Sequence, residues 1–290
     1  MNTRSCRLLF VSGVLLVLFA QLFPVSCRAH GDSGSGVIRF GVFPFQSPKI
    51  IVEMYAPLAA FLEKNLGKKI QLLSAPDARS FLIRAKGGEY DLMLSVPVLL
   101  YKLPPAGYRV IARGEPSFYG GVIVRNDSAI TTIDQLKGKK VAAIGEHSYG
   151  GYRFLLPLLA ASGVDPQKDV TFQFLDKVSI IIYGVINRKF DAGVLKVETL
   201  DHPSFAGTRE QVRVIARSPE IPQFPFIVKN SLEASTVAAI QEALVSLSPD
   251  RPDDLSILNG LQVKKIVAAT NADYDQFYEQ VKDSEYLRQP

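Results

Sequence analysis

The group of residues with the clearest chemical potential is the short hydroxyl- and glycine-rich stretch Ser148–Tyr152, which reads S-Y-G-G-Y. It follows an apolar segment, Val141–Ile144, that predicts a buried strand, and it precedes a helical run that stops at Gly163. The first N–H groups of a helix have no acceptor within the helix, and the helix dipole adds about half a positive charge at that end. The pattern therefore predicts a loop at Ser148–Tyr152 that binds an anion. A plain strand-to-helix turn with a capping serine fits the same residues.

The sequence contains no recognisable arrangement of catalytic or metal-binding residues. His147 precedes Ser148, but side chains at neighbouring positions diverge, and no G-x-S-x-G elbow surrounds the serine. His147 also follows Glu146, yet adjacent residues seldom bind one ion, and the other histidines, His30 and His202, are distant along the chain. We therefore expect no enzyme activity, no metal site and no cofactor.

The N-terminal residues predict export. Two arginines precede the apolar run Leu8–Phe19, and small residues follow it as far as Ala29, which is the pattern of a secretory signal over residues 1–29. The run is shorter than the roughly 20 residues that cross a bilayer, and no later stretch is long and apolar enough. We expect a periplasmic protein that is cleaved after Ala29. In a lipoprotein alternative the chain is cleaved before Cys27, and acylated Cys27 is its only link to a membrane.

The positions of the cysteines and the net charge exclude further classes of function. Both cysteines, Cys6 and Cys27, lie in the leader, so the processed chain holds no disulfide and no cysteine nucleophile. The leader removes three arginines and no acidic residue, so the net charge of +5 falls to about +2. A charge this small gives no basis for nucleic-acid binding.

Beyond the leader, apolar strand patterns alternate with amphipathic helix patterns, which predicts α/β lobes with mainly parallel sheets covered by helices. The predicted strands are Val37–Val42, Lys69–Leu73, Tyr90–Leu94, Val122–Val124, Lys140–Ile144, Val170–Phe174 and Phe190–Val194. The predicted helices are Ile51–Leu66, Ala78–Lys86, Ser179–Asn187, Leu232–Leu247 and Asp273–Tyr286, with a Pro/Asp-rich turn at Ser248–Asp254.

Several motifs, in this order, resemble a known family. They include G-V-F-P-F-Q (Gly41–Gln46), G-E-Y-D-L-M-L-S-V-P (Gly88–Pro97), the long segment Val122–Ala142, V-I-N-R-K-F-D-A-G (Val185–Gly193) and I-P-Q-F-P (Ile221–Pro225). The sequence resembles the substrate-binding proteins of phosphate, phosphite and phosphonate ABC importers (PhnD-like), which have the type II periplasmic binding protein fold. The resemblance implies two lobes, the first formed by residues 37–118 and 217–290, the second by residues 119–216. Crossovers near Ser117–Gly121 and Ala216–Pro219 would be the hinge.

The same resemblance implies a ligand site, although this sequence departs from the family pattern. The family's loop has more hydroxyls, S-T-S-G-Y, whereas the aligned residues here retain Ser148, add the phenol of Tyr149 and place Gly150 and Gly151 before Tyr152. We expect these glycines to use a positive φ that lets the main chain approach the ligand.

The remaining predicted site residues lie in other segments of the sequence. The family's downstream histidine falls near Val178 or Ser179, and Ser95 stands where phosphonate binders often have tyrosine. Asp191 corresponds to a common family aspartate, but a carboxylate there would also cap neighbouring N–H groups. Phe45 and Gln46 in the first strand-to-helix turn, and Tyr119 near a crossover, would wall the cleft. Aromatic residues in such turns also often fill the core.

The resemblance implies capture of a small oxyanion or organophosphorus ligand, phosphate- or phosphonate-like, in a cleft between the lobes. A membrane permease of an ABC importer would recognise the closed form. Two alternatives stay open, a sensor subunit that presents an anion or a small organic ligand to a histidine kinase, and a scaffold with an empty cleft.

Overall fold

The computed structural model describes residues 36–45, 47–104, 107–146, 148–175, 177–201, 205–282 and 287. The predicted leader with both cysteines, Gln46 and all three histidines lie outside these residues. Within the described part of the chain, no helix is both long and apolar enough to cross a membrane.

The first region of the chain forms four strands and three helices in alternation. They are β1 (Val37–Val42), α1 (Pro48–Leu66), β2 (Lys69–Leu73), α2 (Ala78–Lys86), β3 (Leu92–Leu94), α3 (Pro97–Leu100) and β4 (Tyr108–Glu115). α1 shows why the sequence folds this way. Pro48 fits the first turn, where no N–H is needed, and Gly67 ends the helix at a φ of 59°. The predicted face, which includes Ile51, Tyr55 and Leu62, is buried as expected.

The middle region contains β5 (Gly120–Arg125), β6 (Lys140–Ala143), α4 (Leu155–Ala161), β7 (Thr171–Phe174), α5 (Val178–Ile186), β8 (Ala192–Lys196) and β9 (Val212–Arg217). The last region contains β10 (Pro225–Lys229), α6 (Ala234–Val245), α7 (Pro252–Leu261), β11 (Lys265–Ala268) and α8 (Asp275–Val281). α7 begins inside the predicted Pro/Asp-rich turn, because Pro252 and two acidic residues after it form a favourable first helical turn.

Two sheets result, with the strand orders β11-β4-β10-β3-β1-β2 and β7-β6-β8-β5-β9. Apolar cores lie on both faces of each sheet, beneath helices, as the α/β pattern requires.

The sheets are mixed rather than mainly parallel. β1 pairs in parallel with β2 and β3, and β6 pairs in parallel with β7 and β8. The edge strand β11 is antiparallel to β4, and β5 and β10 run antiparallel to both of their neighbours. The reversal of β5 and β10 has a simple cause. The segments 116–119 and 218–224 leave the carboxyl edge of one sheet and enter the other sheet at its carboxyl edge. The next strand must therefore run in the opposite direction.

Candidate functional site

The carboxyl edges of the two sheets meet at the segments 116–119 and 218–224, and most of the predicted site residues lie along these edges. Phe45 follows β1 and Ser95 follows β3 in the first sheet, while the loop Ser148–Tyr152 follows β6 in the second. The two connecting segments pair with each other, since Phe118 and Ile221 exchange two N–H···O bonds of 2.9 Å. Open α/β sheets bind ligands at such carboxyl edges.

The loop Ser148–Tyr152 forms a helical turn, not the tight turn with positive φ that the sequence predicts. Residues Tyr149–Arg153 make a π-helical turn that leads directly into α4, and Ser148 caps it by accepting a 3.0 Å hydrogen bond from the Gly151 N–H. Among the described residues, the glycines with positive φ are Gly67, Gly88, Gly138, Gly163 and Gly207. The prediction of positive φ in this loop was therefore wrong.

The loop needs its glycines because it packs tightly against the rest of the chain. A Cβ built on Gly150 would lie 3.1 Å from Ile221 Cδ1 and 3.2 Å from Phe118 Cε2. A Cβ built on Gly120, the first residue of β5, would lie only 2.4 Å from the Gly150 carbonyl oxygen. The absence of side chains at Gly120 and Gly150 thus lets the loop rest directly on the start of β5 and on both connecting segments.

The two loop tyrosines contact other aromatic rings of the protein. The Tyr149 ring meets Phe277 of α8 edge-on at 5.1 Å between centroids, and burial raises the pKa of its phenol. The Tyr152 ring lies 4.9 Å from Phe172 and from Phe174 on β7. These contacts anchor the loop on one side to the C-terminal helix and on the other to the edge strand of the second sheet.

The predicted site residues of the first sheet are an aromatic wall around Phe45, which packs against the core as the core-filling alternative expects, and the buried Ser95. The Phe45 ring packs against Phe224 at 5.6 Å and against Tyr55 of α1 at 5.9 Å. Ser95 is fully buried, and its N–H donates to the Pro225 carbonyl at 3.3 Å. Its hydroxyl is buried without a hydrogen-bond partner among the described residues. A buried hydroxyl without a partner is uncommon, and it is a feature that a ligand would explain.

Tyr119 and Ser179 also lie at the carboxyl edge of the second sheet. The Tyr119 N–H donates to both carboxylate oxygens of Glu198 at 3.2 Å, and the Arg217 guanidinium lies 5.9 Å from the centre of its ring. Ser179 stands in the first turn of α5 and lines a surface depression next to the exposed Ile180.

Asp191 lies at the opposite end of the second sheet, away from these residues. Its carboxylate accepts a 2.9 Å hydrogen bond from the Lys140 N–H, and its own N–H donates to the Lys140 carbonyl at 2.9 Å. This geometry corresponds to the alternative in which Asp191 caps neighbouring N–H groups. The structure therefore does not bring Asp191 together with the anion loop.

Lys196 is a candidate site residue that the sequence analysis did not name. It ends β8 opposite Gly120, and its Nζ lies 4.8 Å from the centre of the Phe118 ring. Burial lowers the pKa of this ammonium group, and the nearby Glu198 carboxylate offsets only part of that effect. The predicted strand ended at Val194, two residues before Lys196. The signal that would have found it is a lysine directly after an apolar central strand.

Metal binding gains no support from the described residues, which contain no group of three or more His, Cys, Asp or Glu side chains that could hold an ion. The pair Glu146–His147 lies partly outside them, because His147 is not described.

Two mixed sheets joined by a pair of connecting segments form the two-lobed α/β fold of the type II periplasmic binding proteins. The model of one family, described as "ABC transporter, phosphonate, periplasmic substrate-binding protein", matches residues 40–274. The chain belongs to this family, as its motifs predict. It is a family of periplasmic substrate-binding proteins and not of enzymes.

Individual relatives are distant. The chain is 22% identical to the phosphonates-binding periplasmic protein of Escherichia coli K12 over 264 residues, which cover 84% of this chain and 76% of that protein. It is 23% identical over 217 residues to the tetrathionate sensor histidine kinase TtrS of Salmonella typhimurium LT2, covering 70% of this chain and 36% of the kinase.

The structure of PhnD1 from Prochlorococcus marinus in complex with methylphosphonate aligns with a TM-score of 0.69 and 17% identity. The alignment covers 84% of this chain and 96% of that one. A likeness at this level of identity concerns the fold.

Proposed function

We propose that this protein captures a small phosphorus oxyanion, of the phosphonate type, between its two lobes and delivers it to an ABC permease. The observation that carries the proposal is the position of the loop Ser148–Tyr152. It lies at the carboxyl edge of the second sheet, against Phe118 and Ile221 of the two connecting segments. The second of these segments ends at Phe224, which packs against Phe45, next to Pro225, which accepts from the Ser95 N–H. Family membership over residues 40–274 supports the same ligand class.

Capture in this site would rest on hydrogen bonds and shape, without covalent chemistry. Ser148 accepts from Gly151, and a serine hydroxyl has one proton to donate in addition, so Ser148 can donate to an oxyanion. The aromatic wall around Phe45 suits the carbon substituent that distinguishes a phosphonate from phosphate. The Ser95 hydroxyl would complete the polar contacts only after a rearrangement that exposes it to the ligand, since Ser95 is fully buried in this conformation.

Ligand binding would close the lobes by bending the segments 116–119 and 218–224. The Tyr149–Phe277 contact links the anion loop to the C-terminal helix, so closure would change the packing around the loop. Solution scattering is expected to show a smaller radius of gyration on binding, and hydrogen exchange is expected to show protection of the amides of residues 148–152. Ligand binding with neither change would contradict closure.

Calorimetry tests the ligand. We expect methylphosphonate, phosphite or phosphate to bind the purified protein, with acetate as a negative control. Gly150→Val should weaken binding at least 100-fold, because its side chain would push the loop away from Phe118 and Ile221. Gly145→Val is the matched control, since a Cβ at Gly145 meets no atom within 4 Å. A wild-type protein that binds none of these anions would favour the scaffold alternative.

The sensor role is the second candidate, and the match to the kinase TtrS over 70% of this chain favours it. In that case the liganded protein would bind the periplasmic domain of a kinase instead of a permease. Neighbouring genes separate the two roles, because a permease and an ATPase indicate import whereas a kinase and a response regulator indicate sensing.

Export and anchoring complete the proposal. We propose that the leader is removed after Ala29, and that the alternative product carries a lipid on Cys27. Mass spectrometry of the protein from its native host distinguishes a free His30 terminus from an acylated Cys27. An intact Met1 would contradict export.

A further inference from the structure

We infer that the Lys196 ammonium group is the cation that pairs with the ligand's negative charge. The inference rests on the proposed function, because it assigns a residue to that oxyanion site. Lys196 lies at the carboxyl end of β8, the central strand of the second sheet, and therefore at the edge that carries the loop Ser148–Tyr152.

The strand register places the Lys196 side chain on the same face of the sheet as the loop. Lys196 stands directly opposite Gly120, and residues directly opposite each other in antiparallel strands point to the same face. A Cβ built on Gly120 would meet Gly150 and Phe154, so that face is the loop face. Val194, two residues earlier on β8, packs in the core cluster that includes Phe154, in agreement with this assignment.

The surroundings of Lys196 leave its charge without a direct partner. Within the described part of the chain, the ammonium group makes no hydrogen bond or ion pair, and its nearest recorded contact is the face of Phe118. The Glu198 carboxylate is engaged by the Tyr119 N–H through both oxygens. A half-buried ammonium group with no carboxylate in direct contact is costly, and an oxyanion bound beside the loop would offset that cost.

Phe118 places the ammonium group close to the loop. Its ring lies 4.8 Å from Lys196 Nζ, and its Cε2 atom would lie 3.2 Å from a Cβ on Gly150. One ring thus lies near both the ammonium group and the position where Gly150 lacks a side chain. An anion that contacts Lys196 would sit next to the residues whose backbone forms the loop.

A structural role for Lys196 makes a different prediction. If the lysine only supports the Phe118 ring, replacing it by methionine keeps the apolar stem and should leave the affinity for the ligand unchanged. If Lys196 binds the anion, Lys196→Met weakens binding, whereas Lys196→Arg, which keeps the charge, retains much of it.

The test is calorimetric titration of methylphosphonate and phosphate into wild type, Lys196→Met, Lys196→Arg and Lys189→Met. Lys189 is the matched control, because its ammonium group also lies over a phenylalanine ring, 5.7 Å from the centre of Phe190, but is exposed. We expect Lys196→Met to weaken binding about 10- to 100-fold, as for loss of a charge-assisted hydrogen bond. Lys196→Arg should lose less than tenfold, and Lys189→Met should bind like wild type. Thermal unfolding of each variant confirms that it is folded.

The outcomes separate the two proposals. Wild-type binding together with unchanged affinity in Lys196→Met would overturn the role of Lys196 and leave the proposed function standing. Equal losses in Lys196→Met and Lys189→Met would also overturn it, since the effect would then reflect overall charge. If the wild type binds neither anion, the proposed function and this inference both fall.

Discussion

Asp91 before the first sheet's β3 and Asp191 before the second sheet's β8 occupy equivalent positions. The Asp91 N–H donates to the Arg39 carbonyl and its carboxylate accepts from the Arg39 N–H, both at 2.9 Å. Asp191 makes the same two bonds with Lys140, also at 2.9 Å. In each sheet the aspartate fixes a central strand against its parallel neighbour.

The residue before each aspartate repeats as well. Tyr90 and Phe190 are almost completely buried, and each ring covers a glycine. A Cβ on Gly41 would lie 2.7 Å from the Tyr90 ring, and one on Gly184 would lie 2.5 Å from the Phe190 ring. Gly41 lies on β1 whereas Gly184 lies on α5, so the lobes share a buried aromatic residue before the aspartate but not the element that its ring covers.

The strands differ where they end. β3 leads to the neutral, buried Ser95, whereas β8 ends at the charged Lys196 beside the anion loop. We interpret residues that recur at equivalent positions in both lobes as structural, and a polar residue that is present at the carboxyl edge of only one sheet as a candidate for ligand binding. This is why we assign Asp191 to the fold and Lys196 to the site.

The largest expected loss of stability comes from Gly120→Val, at the contact that joins the loop to the second sheet. Its Cβ would lie 2.4 Å from the Gly150 carbonyl oxygen, and backbone atoms cannot move aside as a flexible side chain does. We expect a loss of about 3 kcal/mol in the free energy of unfolding. Urea denaturation measures it, with Gly145→Val expected to lie within about 0.5 kcal/mol of wild type. Similar values for the two variants would show that the loop does not depend on this contact.

Asp91→Asn should destabilise the protein by about 2 kcal/mol, because it removes charged hydrogen bonds to Arg39 Nε and Nη2 at 2.9 and 2.8 Å. Burial alone would raise the pKa of the Asp91 carboxyl, but the hydrogen bonds and charge of Arg39 outweigh it and hold the pKa below its usual range.

The depressed pKa fixes the sign of the pH dependence. The stabilisation by Asp91 is present above the unfolded pKa of about 3.9 and is lost as the pH falls through the lower folded value. The difference in the free energy of unfolding between wild type and Asp91→Asn should therefore disappear in acid. A stability difference that is constant from pH 7 to pH 2 would contradict this account.

Asp191→Asn should cost less, about 1 kcal/mol, because its recorded bond is with the backbone N–H of Lys140 at an exposed position. Affinity for methylphosphonate should stay within threefold of wild type. A tenfold loss of affinity in a folded Asp191→Asn protein would break the comparison between the lobes and return Asp191 to the ligand site.

Ser95→Ala should give the smallest change in stability, less than about 0.5 kcal/mol, because the hydroxyl that it removes has no partner among the described residues. Affinity for methylphosphonate should nevertheless fall about tenfold if the hydroxyl binds the ligand. Parallel measurements of unfolding and binding separate the two effects. Unchanged affinity would remove Ser95 from the site.

Much of the fold follows from local sequence patterns. β1, β2 and α2 have the predicted bounds, and α1 ends at Gly67 as expected, because period, capping and glycine are local signals. The direction of β5 and β10 depends on how the chain crosses between sheets, which no local pattern contains.

The site was less predictable for a related reason. The sequence correctly predicted that residues 148–152 lie between β6 and a helix, but the requirement for Gly150 comes from Phe118 and Ile221, which are distant along the chain. β8 begins and ends two residues later than predicted because pairing with β5 extends it to Lys196. Contacts that depend on two separate segments were thus the part that sequence reasoning missed.

The pair of hydrogen bonds between Phe118 and Ile221 has a mechanical consequence. Two separate linkers would each bend independently, and the lobes would then rotate about several axes. Because these two segments are joined as a short ribbon, any rotation of one lobe against the other must bend both together. If the lobes rotate as we propose, the paired segments would give them one hinge axis, and the Phe118 ring that lies 4.8 Å from Lys196 Nζ belongs to one of these segments.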